Sequence, residues 1–259
     1  LKSAGSNNAS AFTSFFRKVV SKCKTRGMNR IIVQVRPPGD AIYDSDIFPT
    51  SAYISGKQGR DVSYDPLSIM VEEAHRQGLA IEAWINPYRV SFNTSYSQLS
   101  KDNPARKWHE SGNASERRNV LSYNGQLYYN PSKPEVRQLI IDGVEEIVRN
   151  YDVDGIYMDD YFYPSFSSSN YNKTFDAQEY NASAEKKNGM SIKKYRRKQV
   201  NKLVKGIKSA IDAIDSDVVF GVSPAGNIDS LNSKYSYYIN IKKWTNSTKF
   251  VDYIAPQIY

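Results

Sequence analysis

Short apolar runs alternate with amphipathic helix patterns along this chain, and that alternation constrains its fold more than any other feature. The runs are Ile31–Val35 (IIVQV), Leu79–Ile85 (LAIEAWI), Val153–Met158 (VDGIYM), Val218–Val222 (VVFGV) and Val251–Ala255 (VDYIA). Between them lie patterns with apolar residues at helical spacing, over 11–26, 66–77, 134–150 and 191–214, with a weaker one around 235–247. Gly27 and Gly78 follow two of these helices, and Pro66 opens one. A strand–helix rhythm of this kind predicts a parallel sheet covered by helices, either open or closed into a barrel. In both architectures the chemistry gathers at the C-terminal ends of the strands. Here those ends read RPPGD, NPYR, DDYFYP, SPAGN and PQIY. The connections 36–65, 86–132 and 160–190 are far longer than usual βα loops and are expected to wall a substrate cleft. Residues 165–189 are the expected mobile segment.

Composition narrows the function classes. The 259 residues are 40% hydrophobic and 13% aromatic, ample for a buried core and inconsistent with a chain disordered throughout. One cysteine, Cys23, excludes an intrachain disulfide, and two histidines leave little for a His-rich metal site. No apolar run approaches a membrane span. The net charge of +8 suits an anionic partner, but the dense cluster Lys193, Lys194, Arg196, Arg197 and Lys198 reads as a solvated helix face. No nucleic-acid-binding signature accompanies it, so no nucleic-acid partner is expected.

The most informative stretch is YDVDGIYMDDYFYP (151–164). Two adjacent carboxylates, Asp159 and Asp160, stand where a strand ends, followed at once by Tyr161, Phe162 and Tyr163. Neighbouring residues on a regular strand point to opposite faces, so one of the pair faces the pocket and the other orients its surroundings. An acid framed by aromatics fits glycosidic chemistry: rings stack on sugars, and apolar surroundings raise a carboxyl pKa toward that of a general acid. In EAWINPYR (82–89), Glu82, Trp84 and Asn86 share a face, and Tyr88 and Arg89 close the strand end. Buried Glu82 needs a partner, for which Arg36 on the next strand is the candidate. Trp84 is either core or sugar platform. In QVRPPGD (34–40), Gln34 and Arg36 point the same way, and Arg36 and Asp40 either bind substrate or pair with one another. Ser223 and Gln257, at the ends of later strands, suit hydrogen bonds to a sugar. No dinucleotide or nucleotide-phosphate loop, serine-nucleophile elbow or HExxH motif is present, so no cofactor is implied. Asp159 and Asp160 would need Asp40 or Glu82 to complete a metal site, and none is expected.

Taken jointly, QVRPPGDAIYDSDIFPTSAYISGKQG (34–59), DPLSIMVEEAHRQGLAIEAWINPYR (65–89), NPSKPEVR (130–137), YDVDGIYMDDYFYP (151–164), FGVSPAGN (220–227) and VDYIAPQIY (251–259) resemble the glycosyl-hydrolase-like 10 family. The resemblance runs in matching order through nearly the whole chain. It implies an α/β fold of TIM-type (β/α)8 barrel architecture, of which about five of eight strands are present here, so that residues 1–259 form a single barrel domain truncated at both ends. It also implies a glycosidase acting on glycan strands of a bacterial wall polymer, peptidoglycan foremost, outside the cell or in its envelope; the sequence itself shows no signal-peptide pattern. Asp159 and Asp160 occupy the place of the acidic motif on strand 4 of chitinase-like barrels. Where that motif carries its acid Glu, this chain has Tyr161, so the acid role falls to Asp159 or Asp160. A second departure is Glu82, which stands where the family pattern HAWFNPYR has His.

The leading expectation is therefore a glycoside hydrolase with Asp159 or Asp160 as general acid and no cofactor. Its polysaccharide would be held by Gln34, Arg36, Asp40, Glu82, Trp84, Asn86, Tyr88, Arg89, Tyr161, Tyr163, Ser223 and Gln257. Two alternatives stand beside it: a carbohydrate-binding pseudoenzyme that keeps the aromatic cleft, and a metal-dependent deacetylase or phosphodiesterase on a barrel.

Overall fold

The computed structural model describes residues 8–233 and 235–258; Tyr259 of the last motif lies outside them. Eight strands are described: β1 (Arg30–Arg36), β2 (Ala80–Ile85), β3 (Arg89–Ser91), β4 (Val120–Tyr123), β5 (Gln126–Tyr129), β6 (Gly155–Met158), β7 (Val219–Val222) and β8 (Tyr253–Ile254). The long helices are α1 (Ala9–Thr25), α3 (Pro66–Arg76), α6 (Pro134–Asn150) and α9 (Ile192–Ile214). Shorter ones are α2 (Ala52–Ser55), α4 (Pro104–Glu110), α5 (Ala114–Arg117), α7 (Ala177–Ala182), α8 (Ala184–Lys187), α10 (Ile228–Leu231) and α11 (Ile241–Trp244). The expected weak helix at 235–247 shrinks to α11. Helix starts follow local chemistry. The Asp65 carboxylate accepts from Leu67 N and Ser68 N ahead of Pro66, and Ser191 caps α9 through Lys194 N.

Five of these strands pair in parallel in the order β1-β2-β6-β7-β8, which is also their order along the chain. A doubly wound sheet would reverse direction at a switch point. Strict sequential order is instead that of a barrel wall, and the sheet is an open sector of a TIM-type barrel. Ile81, Ala83, Ile85, Ile156, Met158, Phe220 and Val222 face the helices. They join one continuous core with Leu67 and Met70 of α3, Val136 and Ile140 of α6, and Leu203 and Ile207 of α9.

The opposite face corresponds to the barrel interior and is more polar. Register aligns Gln34, Trp84, Tyr157, Gly221 and Tyr253 across it. Glycine is required at two places here. A Cβ on Gly155 would meet Glu82 Cγ at 2.9 Å, and one on Gly221 would meet the Tyr253 ring at 2.1 Å. These gaps let Glu82 reach across β6 to the Tyr253 hydroxyl while also pairing with Arg30. The partner of buried Glu82 is thus Arg30, not Arg36.

The reason lies in β1, where register shifts between Gln34 and Arg36. Gln34 pairs with Trp84 but Arg36 pairs with Ile85, so the two do not point the same way. Arg36 turns to the helix side, where it is fully buried. Its Nη2 donates to Pro87 O at 3.0 Å and its guanidinium lies 4.7 Å from the Phe48 ring.

The long connections are structured. Residues 86–132 build an antiparallel sheet, β3-β5-β4, in which Asn124 and Gly125 (φ 45° and 73°) turn the β4–β5 hairpin. The 165–189 segment, expected to be mobile, carries α7 and α8 and is pinned by a fully buried pair, Asp176 with Arg196, at 2.7 Å.

Gly221→Ala should destabilise the protein by about 1–3 kcal/mol by pushing the Tyr253 ring aside. Gly112→Ala, where a Cβ meets nothing within 4 Å, should stay within about 0.5 kcal/mol. Urea denaturation of both variants checks the contrast.

Candidate active site

β6 ends at Met158, so the backbone has left the sheet before the acid pair begins. Asp159 and Asp160 therefore escape strict alternation, and both line one cleft of about 880 Å³ with Trp84, Tyr161, Tyr237 and Gln257. The expectation that only one could face the pocket assumed a strand regular through Asp159. Ser223 joins Trp84, Tyr157, Asp159 and Gln257 on the interior side of the same region. Gln257 Nε2 donates to Ser223 O at 2.9 Å, tying the ends of β7 and β8 together.

The two carboxylates differ in surroundings. Asp159 Oδ1 accepts from Tyr161 N at 2.9 Å. Burial nevertheless dominates and pushes its pKa up to about 6; the nearby charge of Asp160 adds to the rise, while Arg89 and Trp84 oppose it. Asp160 Oδ2 accepts from Ala225 N at 2.9 Å. Burial raises its pKa too, against that backbone bond.

A contiguous side pocket of about 240 Å³ shares Tyr161 and Tyr237 with the acid cleft. Asn86, Arg89, Tyr163 and the hairpin residues Tyr123, Asn124, Gln126 and Tyr128 line it. The structure thus gathers Trp84, Asn86, Arg89, Asp159, Asp160, Tyr161, Tyr163, Ser223 and Gln257 into one region.

It does not bring the other candidates there. Gln34 is half-buried and in register with Trp84 but lines neither the acid cleft nor the side pocket. Glu82 is enclosed by Arg30 and Tyr253. Arg36 is turned away by the register shift. Asp40 is buried with Gln58, whose Nε2 donates to it at 2.8 Å, and Arg36 and Asp40 do not form an ion pair among the described residues. Tyr88 is fully buried against Phe162 and Tyr163. Segment 36–65, expected as a cleft wall, lines neither the acid cleft nor the side pocket; 86–132 walls the side pocket, the start of 160–190 borders both, and residues 225–227, 237, 257 and 258 complete the acid cleft.

Several cleft residues go unannounced in the pattern of the chain. Tyr237 and Tyr238 both adopt positive φ (60° and 59°), a conformation costly for bulky side chains. Tyr238 is held by Arg196 Nη1 at 2.8 Å and packs on Tyr163 at 5.0 Å between ring centroids. That anchorage presents Tyr237 to the acid pair. The hairpin was legible: Asn124-Gly125 between two β-rich runs is a turn signature. Among the described residues, no group of three or more His, Cys, Asp or Glu is gathered as a metal site.

Fold and site together define a class, the glycoside-hydrolase-type TIM barrel. Solved structures of similar fold include the glycoside hydrolase domain of PgaB (BpsB) from Bordetella bronchiseptica, with a TM-score of 0.62 at 12% identity over 96% of this chain and 70% of that one. Another is alpha-L-fucosidase isoenzyme 2 from Paenibacillus thiaminolyticus, with a TM-score of 0.52 at 16% identity over 81% of this chain and 29% of that one. At such identities the likeness is of fold alone. Sequence relatives are nearer. Glycosyl hydrolase YngK of Bacillus subtilis is 38% identical over 260 residues, 93% of this chain and 48% of that protein. Glycosyl hydrolase DigH of Escherichia coli K12 is 34% identical over 246 residues, 90% of this chain and 55% of that protein. Residues 14–259 match the family described as glycosyl hydrolase-like 10, and the chain belongs to that family. It spans about half the length of the curated relatives it matches.

The raised pKa of Asp159 has a consequence for stability. An unfolded Asp titrates near 4. A carboxyl raised above that stabilises the fold below pH about 4, and the contribution is lost as pH rises through about 6. Asp159→Asn should therefore gain up to about 2–3 kcal/mol relative to wild type on going from pH 4 to pH 8. Denaturant titrations at the two pH values measure the difference.

Proposed function

We propose that this chain carries the acid half of a glycoside hydrolase that cleaves glycan strands of a bacterial cell-wall polymer, peptidoglycan foremost, at the cell envelope. One observation carries the reading: Asp159 is a buried carboxyl with its pKa raised to about 6, set in a cleft lined by Trp84, Tyr161 and Tyr237. A group so poised is protonated where a general acid must be and still gives up its proton. Asp159 protonates the glycosidic oxygen as the bond to the anomeric carbon breaks. Asp160, fixed by the Ala225 N–H, supports positive charge developing on the sugar ring. Water then adds at the anomeric carbon, and the proton it loses returns to the Asp159 carboxylate. Trp84, the half-exposed Tyr161 and Tyr237 offer ring faces to the sugars. The net charge of +8 favours an anionic polymer.

The test is release of soluble fragments from purified glycan strands, with and without stem peptides, by the full-length protein, read by mass spectrometry. New reducing ends are expected. Asp159→Asn should lower their formation by about 10²–10⁴-fold, and Asp160→Asn by a comparable or smaller factor. Strands that are retained but never cut by wild type would defeat the hydrolase reading and favour a carbohydrate-binding pseudoenzyme. Activity abolished by a chelator and restored by a divalent metal would favour a metal-dependent hydrolase.

A further inference from the structure

Next to the acid cleft, the side pocket holds a cation that forms no salt bridge among the described residues, with Asp159 close enough only to feel its charge. Arg89 leaves β3 with its guanidinium between two exposed rings, 5.1 Å from the centroid of Phe92 and 4.9 Å from that of Tyr161. Phe92 is 53% exposed and Tyr161 51%. The stack fixes the plane of the guanidinium, as aromatic faces do for Arg. Its Nε is buried and has no hydrogen-bond partner. Asn86 is 1% exposed and its Oδ1 is likewise unpartnered. Buried polar atoms of this kind carry a desolvation cost unless something satisfies them. Both residues line the pocket, and the rigid Asn124-Gly125 turn carries Asn124 to its far wall. At about 240 Å³ it has room for a ring substituent or a single sugar unit, not a chain. Apart from Arg89, its lining carries neutral hydroxyls and amides from Asn86, Asn124, Gln126, Tyr128 and Tyr163.

We propose that this pocket is a subsite for a carboxylate-bearing sugar unit beside the bond that is cut, with Arg89 reading the carboxylate and Phe92 and Tyr161 holding Arg89 flat. The assignment rests on the cleft being a glycan site, as proposed above, and adds the charge of the sugar it selects. A planar guanidinium recognises a carboxylate through parallel N–H donors, which neither an ester nor a hydroxyl can match.

Calorimetry on the full-length protein carrying Asp159→Asn, which slows turnover, tests the assignment. Four oligosaccharides serve as probes: a neutral N-acetylglucosamine oligomer, the same backbone with lactyl-ether carboxylates on alternate units, the methyl ester of that compound, and an oligomer alternating N-acetylglucosamine with glucuronate. At least one acid should bind about ten- to a hundredfold tighter than the ester and the neutral oligomer, and the preference should shrink as salt rises. Which acid is preferred tells whether the carboxylate comes from an ether substituent or from the ring itself. Arg89→Gln should erase the preference, and Arg89→Lys should restore only part of it. Equal binding of acids and ester, or a preference that survives Arg89→Gln, overturns the subsite. The comparison of acid with ester needs no variant at Arg89, so a misfolded variant leaves the test intact. Charge-selective binding without any turnover by wild type would sink the hydrolase reading and spare the subsite. Turnover without charge selectivity would sink the subsite alone, and absence of binding to all four would sink both.

Discussion

The buried pair of Asp176 and Arg196 organises the cleft. Both side chains are fully enclosed, so each depends on the other and on a complete set of hydrogen bonds. Asp176 accepts from Arg196 Nε on one oxygen and from Ser132 Oγ and Tyr163 OH, both at 2.8 Å, on the other. Arg196 also donates to Tyr171 O, Thr174 O and the Tyr238 hydroxyl, and its guanidinium lies 4.3 Å from the Phe166 ring. The pair therefore joins α9, the segment after β6 and the segment before α11. Two aromatic residues inherit their positions from it: Tyr163, on the floor of the side pocket, and Tyr237, carried to the acid pair by its strained neighbour Tyr238.

The sheet supplies the second half of the arrangement. Sequential parallel order leaves every strand end on the same rim, and β6 stops one residue before Asp159. The carboxylates therefore emerge onto the rim as the chain turns, between Trp84 of β2 and the ends of β7 and β8. Burial there is deep enough to raise the pKa of Asp159. The backbone bonds from Tyr161 and Ala225 hold each carboxylate in place without cancelling that effect. Below the rim, Glu82, Arg30 and Tyr253 fill the interior with a paired charge, and glycines at 155 and 221 make room for it. The acidic residue at position 82 is thus a packing and pairing element of the barrel interior, separate from the chemistry above.

The strands and long helices were legible because hydrophobic period tracks burial, and the acid pair because carboxylates at a strand end stand out. What escaped depends on contacts distant in sequence or on single-residue geometry. One register shift reverses Arg36, and period-2 reasoning cannot see it. Asp40 and Tyr88 lie in polar-looking strand-end motifs but are consumed by packing. The basic run containing Arg196 reads as a solvated face, yet Arg196 is its buried member because Asp176 is brought to it from 20 residues upstream. The order of 165–189 follows from the same pair. Tyr237 is invisible because nothing in a tyrosine pair announces positive φ. The Asn124-Gly125 hairpin, by contrast, was written plainly in the chain and lay inside a stretch read as a loop.

The account turns on Asp159 acting as a desolvated general acid. The most direct measurement is the pH dependence of kcat/KM on purified glycan strands, which reports the free enzyme's essential acid. The account predicts activity falling on the alkaline side with an apparent pKa near 6, as Asp159 loses its proton. Activity that is unchanged through this range, or that rises through it, would contradict Asp159 as the acid.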